Sequence, residues 1–322
     1  MGGDPGYGVR PIRTGDYEGS AALISDVCPD RSEDAEEWRR DDEGASDRPV
    51  RRYVAAADDG QALIGYAASR HVRLGRYGLD LAVPSAWRKR GVGSALLSRV
   101  TEDLRAAGAV TLEARALEDR PEDVAFYLGR GFVETLRMHR LRLELATADP
   151  APFLPLLERI AGEGIEIATL VEERTHGAGW LRRLYELENA VMPDWPTSDP
   201  SLAREPFSFE DFRRRFERHE VIADGYFIAK LGDEYIGYSG LTVPREDPGR
   251  IDMAGTAVSP EHRRRGLATA LKVRTIQYAR ERGYATMRTG TASAAMLAIN
   301  ERLGFRKGAP DEIRLLRSLK AG

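Results

Sequence analysis

Apolar and polar positions along this chain change period several times, and the changes come in the same order twice. Strand-like spacing is expected near Val9–Ile12, Arg52–Ala57, Ala62–His71 and Tyr77–Val83, with helical spacing from about Asp16 to Arg39 between the first two. A helix is expected over Gly91–Ala106, a strand over Thr111–Ala116 and a helix near Glu122–Gly129. A closing strand near Met138–Leu145 follows, where "MHRLRLELA" alternates residue by residue. Three closely spaced prolines in "TADPAPFLPL" (147–156) then interrupt the pattern.

A short helix near Leu154–Ala161 and the turn "GEG" open a second series. Its strands are expected near Ile165–Leu170, Tyr226–Leu231, Tyr235–Val243, Ile251–Val258 and Thr286–Thr291, with helices over 266–282 and about 294–303. Each series is a strand meander that ends in a strand–helix–strand crossover. The fold class is therefore α+β, as two tandem domains, each a mixed, largely antiparallel sheet flanked by helices. A length of 322 residues agrees, because single cores rarely grow beyond about 250–300 residues. The proline-rich stretch places the boundary between domains 1–148 and 149–322.

The duplication is also visible in individual residues. "LAVPSAWRKRGVGSALL" (81–97) reads like "TAVSPEHRRRGLATALK" (256–272), with Val83, Arg88 and Gly91 recurring 175 residues later as Val258, Arg263 and Gly266. "FYLGRGF", ending at Phe132, matches "AINERLGF", ending at Phe305, at an offset of 173. From Val9 to Val83 is 74 residues but from Ile165 to Val258 is 93, so the second copy holds about 19 more before its motif, mostly in 171–220.

Composition narrows the chemistry. A net charge of −3 gives no basic field for nucleic acid or a membrane surface, so any phosphate binding is local. Cys28 is the single cysteine, which excludes an internal disulfide and a multi-cysteine zinc site. Within a helical pattern it reads as a small buried hydrophobe rather than a nucleophile. The histidines fall in no short metal-binding spacing, and no metal is expected. Without a signal-peptide core or an apolar run of about 18 residues, the expected setting is the cytoplasm.

Each basic turn follows a strand and opens a helix. A helix start presents unpaired N–H groups and the positive end of the macrodipole, and phosphate groups bind there for both reasons. Gly91 and Gly266 let the backbone approach an anion, and Gly93 and Ala268 keep the approach clear. Arg88, Lys89 and Arg90, or Arg263, Arg264 and Arg265, add charge. Found twice with one Arg-x-x-Gly-x-small spacing, the turn reads as an anion site rather than a solvated loop. Neither GxxxxGK[ST] nor GxGxxG occurs.

These residues resemble the acyl-coenzyme-A signature of the GNAT N-acetyltransferase superfamily, Arg/Gln-x-x-Gly-x-Gly/Ala after a strand, here Arg88–Gly93 and Arg263–Ala268. "FYLGRGF" and "INERLGF" resemble the helix ending in Gly-Phe that follows it. The resemblance covers nearly the whole chain and implies acetyl transfer from acetyl-CoA directly to an amine of a small molecule or peptide. It implies a coenzyme A pyrophosphate held by Arg88, Lys89, Arg90, Gly91, Val92, Gly93 and Ser94, and again by Arg263, Arg264, Arg265, Gly266, Leu267, Ala268 and Thr269. The pantetheine arm would run along Leu81 and Val83, or Ala257 and Val258.

Direct transfer needs a neutral amine, a stabilised oxyanion and a proton for the leaving thiolate. By the same resemblance Tyr127, four residues before Gly131, is the candidate acid; its counterpart Asn300 can hydrogen-bond coenzyme A but delivers no proton readily. Asp252 is the candidate base, with Asp80 its counterpart in the first copy. The asparagine common early in the last helix is replaced by Arg120 and Ser293.

Residues 188–220 place Asp194, Trp195, Asp199 and Glu205 in a proline-rich loop, an acidic and aromatic composition suited to a cationic amine. Asp194 and Trp195 are the candidate acceptor contacts. Ser208 reads as a helix cap with Asp211 as its partner, and Phe209, Phe212 and Phe216 as a core stripe. The second copy is the expected catalytic one, with the first binding cofactor or supporting the fold. The expected partner is a small-molecule amine, to a monomer or homodimer; an acyl-CoA-binding sensor or scaffold without turnover is the alternative.

Overall fold

The first copy of the sequence supplies five strands of the first unit, and their alternating residues feed two separate cores. The computed structural model describes the chain except residues 1–5, 29–32, 44–49, 58–61, 74, 178, 199–205, 207, 219–220, 245–246 and 321–322. Its first elements are β1 (Tyr7–Pro11), α1 (Tyr17–Val27), α2 (Ala35–Glu43), β2 (Val50–Ala57), β3 (Leu63–Arg73), β4 (Arg76–Ala82), α3 (Val92–Ala106), β5 (Thr111–Leu117), α4 (Pro121–Leu128) and β6 (Val133–Glu144). Strands β1 to β4 are antiparallel neighbours, and β5 runs parallel to β4. Tyr53, Ala55 and Ala67 pack under α3 with Leu96, Val100 and Leu104. Their neighbours Val54, Tyr66 and Ala68 face the other way, toward Tyr17, Ile24 and Trp38.

The second series continues with α5 (Leu154–Gly162), β7 (Ile165–Thr169), α6 (Leu170–Thr175), α7 (Trp180–Val191), α8 (Phe209–Arg218), β8 (Phe227–Leu231), β9 (Glu234–Thr242) and β10 (Arg250–Val258). It ends with α9 (Leu267–Glu281), β11 (Thr286–Thr291), α10 (Ala294–Arg302), β12 (Arg306–Lys307) and β13 (Glu312–Ser318). The extra residues of this copy are thus largely helical. Ser208 caps α8 as expected, its Oγ accepting the Asp211 N–H at 3.1 Å, and Phe212 lies in the core beside half-buried Phe216.

The chain divides into two contact units, Met1–Thr135 with Ile313–Gly322, and Leu136–Glu312. The first unit has strand order β1-β2-β3-β4-β5-β13, and the second β7-β8-β9-β10-β11-β6. Each unit therefore takes its sixth strand from the other copy of the sequence. Ile313, Leu315 and Leu319 enter the first core beside Tyr127 and Phe132, whereas Leu141 and Leu143 of β6, with Leu145 just after it, enter the second beside Met287 and Phe305. The expected division at 148/149 does not coincide with these units. Alternation marks a strand locally, but its partner is set by contacts far along the chain. The closing strand also begins earlier than expected, at Val133, and β12 and β13 lay beyond the expected elements.

A buried ion cluster fixes the extra segment of the second unit. Glu173 is 1% exposed and accepts hydrogen bonds from Lys230 Nζ (2.8 Å), Arg183 (3.5 Å) and the Tyr235 hydroxyl. Burial opposes its ionisation, but the hydrogen bonds from Lys230 and Tyr235 and the charges of Lys230 and Arg183 outweigh that and hold the carboxyl below its usual range. Glu173→Gln is expected to destabilise the second unit by about 3 kcal/mol at neutral pH, because it strands buried positive charge. The wild-type advantage should be full above the ordinary glutamate range and fade as pH falls through the lowered folded value. Denaturant unfolding followed across pH checks both.

Candidate active site

Both basic turns fold alike. Single 3₁₀ turns, Ser85–Trp87 and Pro260–His262, lead into them. Lys89 and Arg264 then take φ of 61° and 60°, and Gly91 and Gly266 take 87° and 86° as the residues that open α3 and α9. The N–H groups of residues 92–94 and 267–269 have no acceptor within their helices. Arg88 Nε donates to the Val83 carbonyl at 3.2 Å, and Arg263 Nε to the Val258 carbonyl at 3.0 Å. Both arginines also meet carboxylates, Arg88 at Glu122 (3.2 Å) and Asp123 (3.4 Å), Arg263 at Asp194 (2.7 Å). They pin the turn to the strand end, while Lys89, Arg90 and Arg264 stay exposed.

In the first unit the turn opens on a cleft of about 380 Å³, lined by residues that include Lys89, Gly91, Gly93, Ser94, Phe126 and Arg130. Arg130 lies over the Phe126 ring at 3.7 Å and donates to the Phe126 carbonyl (2.9 Å) and Ser94 Oγ (2.5 Å). A Cβ on Gly93 would come within 3.2 Å of Phe126, so packing as well as anion access keeps that position small. One flank of each opening glycine is covered. A Cβ on Gly91 would meet the Tyr7 hydroxyl at 3.0 Å, and one on Gly266 would meet Leu156 of α5 at 2.8 Å. Arg159 donates to the Arg265 carbonyl (2.8 Å), and Arg265 pairs with Glu163. A left-handed glycine, free first-turn N–H groups and cationic side chains at the rim together fit a pyrophosphate.

The strands beside the turns diverge differently. In the second unit β10 pairs with β11 only over Arg250–Asp252, and its register against β9 slips between Met253 and Gly255. Ala254 is the extra residue, a β-bulge. In the first unit β4 pairs with β5 over Arg76–Leu79, and its pairing with β3 runs without a slip from Tyr77 to Ala82. Leu81, and Ala257 and Val258, follow these points of divergence, where a sheet edge lies open.

Tyr127 is buried in the first core with its ring against Phe126 (5.3 Å) and Phe132 (5.2 Å), and burial pushes its hydroxyl far above the usual range. Asn300 is fully buried in the second unit, and both polar atoms of its amide lack a partner among the described residues. Asp252 lies 3.1 Å from the Arg250 guanidinium. Asp194 is engaged by Arg263, and Trp195 packs at the edge of the aromatic cluster of the second unit. Asp199 and Glu205 lie outside the described residues. Ser293 caps α10 and Arg120 donates to the Val27 carbonyl (3.0 Å), so both have local structural partners.

The family model described as "Acetyltransferase (GNAT) family" matches residues 19–132 and 182–305. The chain belongs to the GNAT acetyltransferase family. A mycothiol acetyltransferase of Geodermatophilus obscurus is 28% identical over 302 residues, covering 90% of this chain and 89% of that one. One of Thermobispora bispora is 26% identical over 238 residues, covering 72% and 73%. Among solved structures, a GCN5-related N-acetyltransferase from Sphaerobacter thermophilus matches with a TM-score of 0.72 at 19% identity, covering 98% and 96%. A tandem GNAT protein from the clavulanic acid biosynthesis pathway matches with 0.68 at 18%, covering 98% and 99%.

This tandem GNAT protein is an N-acetyltransferase with acetyl-CoA as its donor. No helix among its described residues is long and apolar enough to cross a membrane. Glu234, Glu261 and His262 bring three potential ligand atoms within 4.8 Å of one another. Both glutamates are exposed and His262 Nδ1 is already hydrogen-bonded to Ser259 Oγ at 2.9 Å, so the group reads as a surface cluster. Sequence reasoning missed Arg130, because "LGRGF" reads as a helix end. The repeat held the signal, since the matching residue in the second copy is Leu303.

Proposed function

We propose that this GNAT acetyltransferase passes acetyl from acetyl-CoA to the amine of a small molecule, that the transfer takes place in the second unit, and that each unit holds acetyl-CoA at its basic turn. The bulge at Ala254 carries this reading. A bulge removes a residue from the ladder, and here it does so where β10 parts from β11, so backbone N–H becomes available to an oxyanion. The first unit has no counterpart in β4. The longer segment before the second motif supports an acceptor site there: the Tyr238 hydroxyl donates to Glu188 (3.1 Å), beside the aromatic side chains of α7 and α8. The names of the mycothiol acetyltransferase relatives support a small-molecule acceptor.

Gly266, Leu267, Ala268 and Thr269 would receive the pyrophosphate in this unit, and Ala257 and Val258 the pantetheine arm. Incubation with acetyl-CoA and a panel of amino sugars, polyamines, amino acids and peptides tests the reading. An acetylated amine is expected together with an equal amount of free coenzyme A. Bound acetyl-CoA without product from any amine would leave the binding-only reading in its place.

A further inference from the structure

Helix α9 carries a lysine where a leucine would pack. Lys272 is 1% exposed, and the repeat aligns it with Leu97 of α3, itself 2% exposed in the first core. Its Nζ lies against Met253 Sδ at 2.6 Å and 5.9 Å from the Phe305 ring, with no carboxylate paired to it among the described residues. Burying an unpaired ammonium costs several kcal/mol, so packing alone would favour leucine. Burial, with no charged partner, lowers the amine to about 7.

The place of this amine matters more than its burial. Met253 is the first residue beyond the last β10–β11 pair and the point where the register slips into the bulge. Asn300 lies on α10, whose Leu297 and Ile299 share a core with Val273 and Ile276 of α9; its backbone carbonyl accepts the Phe305 N–H at 3.0 Å, and its side-chain amide has no partner among the described residues. Among the described residues, Arg288 of β11 is half-buried in register with Asp252, and the following titratable groups on the surrounding elements are engaged elsewhere or exposed. Lys230 of β8 and Tyr235 of β9 meet Glu173, Tyr238 of β9 meets Glu188, and Asp252 of β10 meets Arg250. Arg159 of α5 meets Glu163, Glu158 and Glu234 are exposed, and so are Glu301 and Arg302 of α10.

We infer that Lys272 carries the proton from the acceptor amine to the coenzyme A sulfur in the second unit, the task for which Asn300 has no proton to give. The inference rests on the reading that transfer takes place in this unit. Neutral Lys272 takes the proton that leaves the acceptor nitrogen as that nitrogen bonds the acetyl carbon. The C–S bond breaks with its electron pair on sulfur, and the Lys272 ammonium returns the proton there. Lys272 ends neutral, and the products are an acetylated amine and a free thiol.

The chain has five lysines, so carbon-13 at the lysine Cε positions resolves each titration by NMR. One signal is expected to titrate near pH 7, to vanish in Lys272→Leu and to move on addition of coenzyme A alone. Lys272→Leu, which repeats the side chain of the first unit, is expected to lower kcat about 100-fold or more with little change in the KM for acetyl-CoA. It should also remove the limb of the kcat profile centred near pH 7. If the signal titrates near pH 10, or ignores coenzyme A, the inference is overturned. It is overturned equally if Gly266→Val stops turnover while Lys272→Leu keeps the wild-type rate and pH profile. Turnover that survives Gly266→Val would instead overturn the reading that the second unit performs the transfer, and this inference with it.

Discussion

Ending the chain after Glu312 is expected to unfold the first unit and leave the second folded. The deleted segment contributes Ile313, Leu315 and Leu319, which are 3%, 0% and 3% exposed in the first core. Each such side chain is worth about 1.5–3 kcal/mol of burial, against a typical domain stability of about 5–15 kcal/mol. The deletion also removes the hydrogen bond from the Leu319 N–H to the Val110 carbonyl (2.9 Å) and leaves buried Glu113 without Arg314, at 3.0 Å. Hydrogen exchange separates the outcomes. Protection should be lost in α3, β4 and β5 and kept in β8 to β11. Loss confined to the second half would show instead that the units end at 148/149.

Titration with acetyl-CoA is expected to give two bound equivalents, falling to one in Gly91→Val and one in Gly266→Val. Valine at φ near +87° is strained, and its Cβ would press on the Tyr7 hydroxyl or on Leu156. The turn would have to reshape, displacing first-turn N–H groups aimed at the anion. Charge-assisted hydrogen bonds are worth about 1.5–3 kcal/mol each, so losing two weakens binding at that turn by about 100-fold or more. Product formation should follow Gly266 rather than Gly91. Two equivalents retained in both variants would remove the pyrophosphate from these turns.

The turns were legible because their signal is local and stated twice. A helix start, a glycine and a cluster of arginines need only a dozen residues to be recognised, and the repeat excluded chance. The Ser208 cap and the phenylalanine stripe were legible for the same reason. Pairing was not. "MHRLRLELA" alternates as a strand in any sheet, and nothing within it says that its neighbour is Thr286–Thr291. The ion pair between Asp252 and Arg250, two residues away on the same strand, was not legible either. Lys272 was hidden by its type, since a charged residue in a helix is read as solvent-facing. Alignment with Leu97 was the signal that could have exposed it.

The exchange of sixth strands has a consequence for how the protein is made. Translation supplies β6 before any strand of the sheet it completes, while the half that emerges first must wait for residue 319 to close its own. Until then β5 presents an open edge with apolar side chains behind it, the kind of surface that nascent chains use for wrong partners. A late premature stop would therefore damage the oldest part of the chain. The duplicated sequence behaves as a permanently tethered swapped pair, in which neither copy is a heritable module that can be lost or shuffled alone.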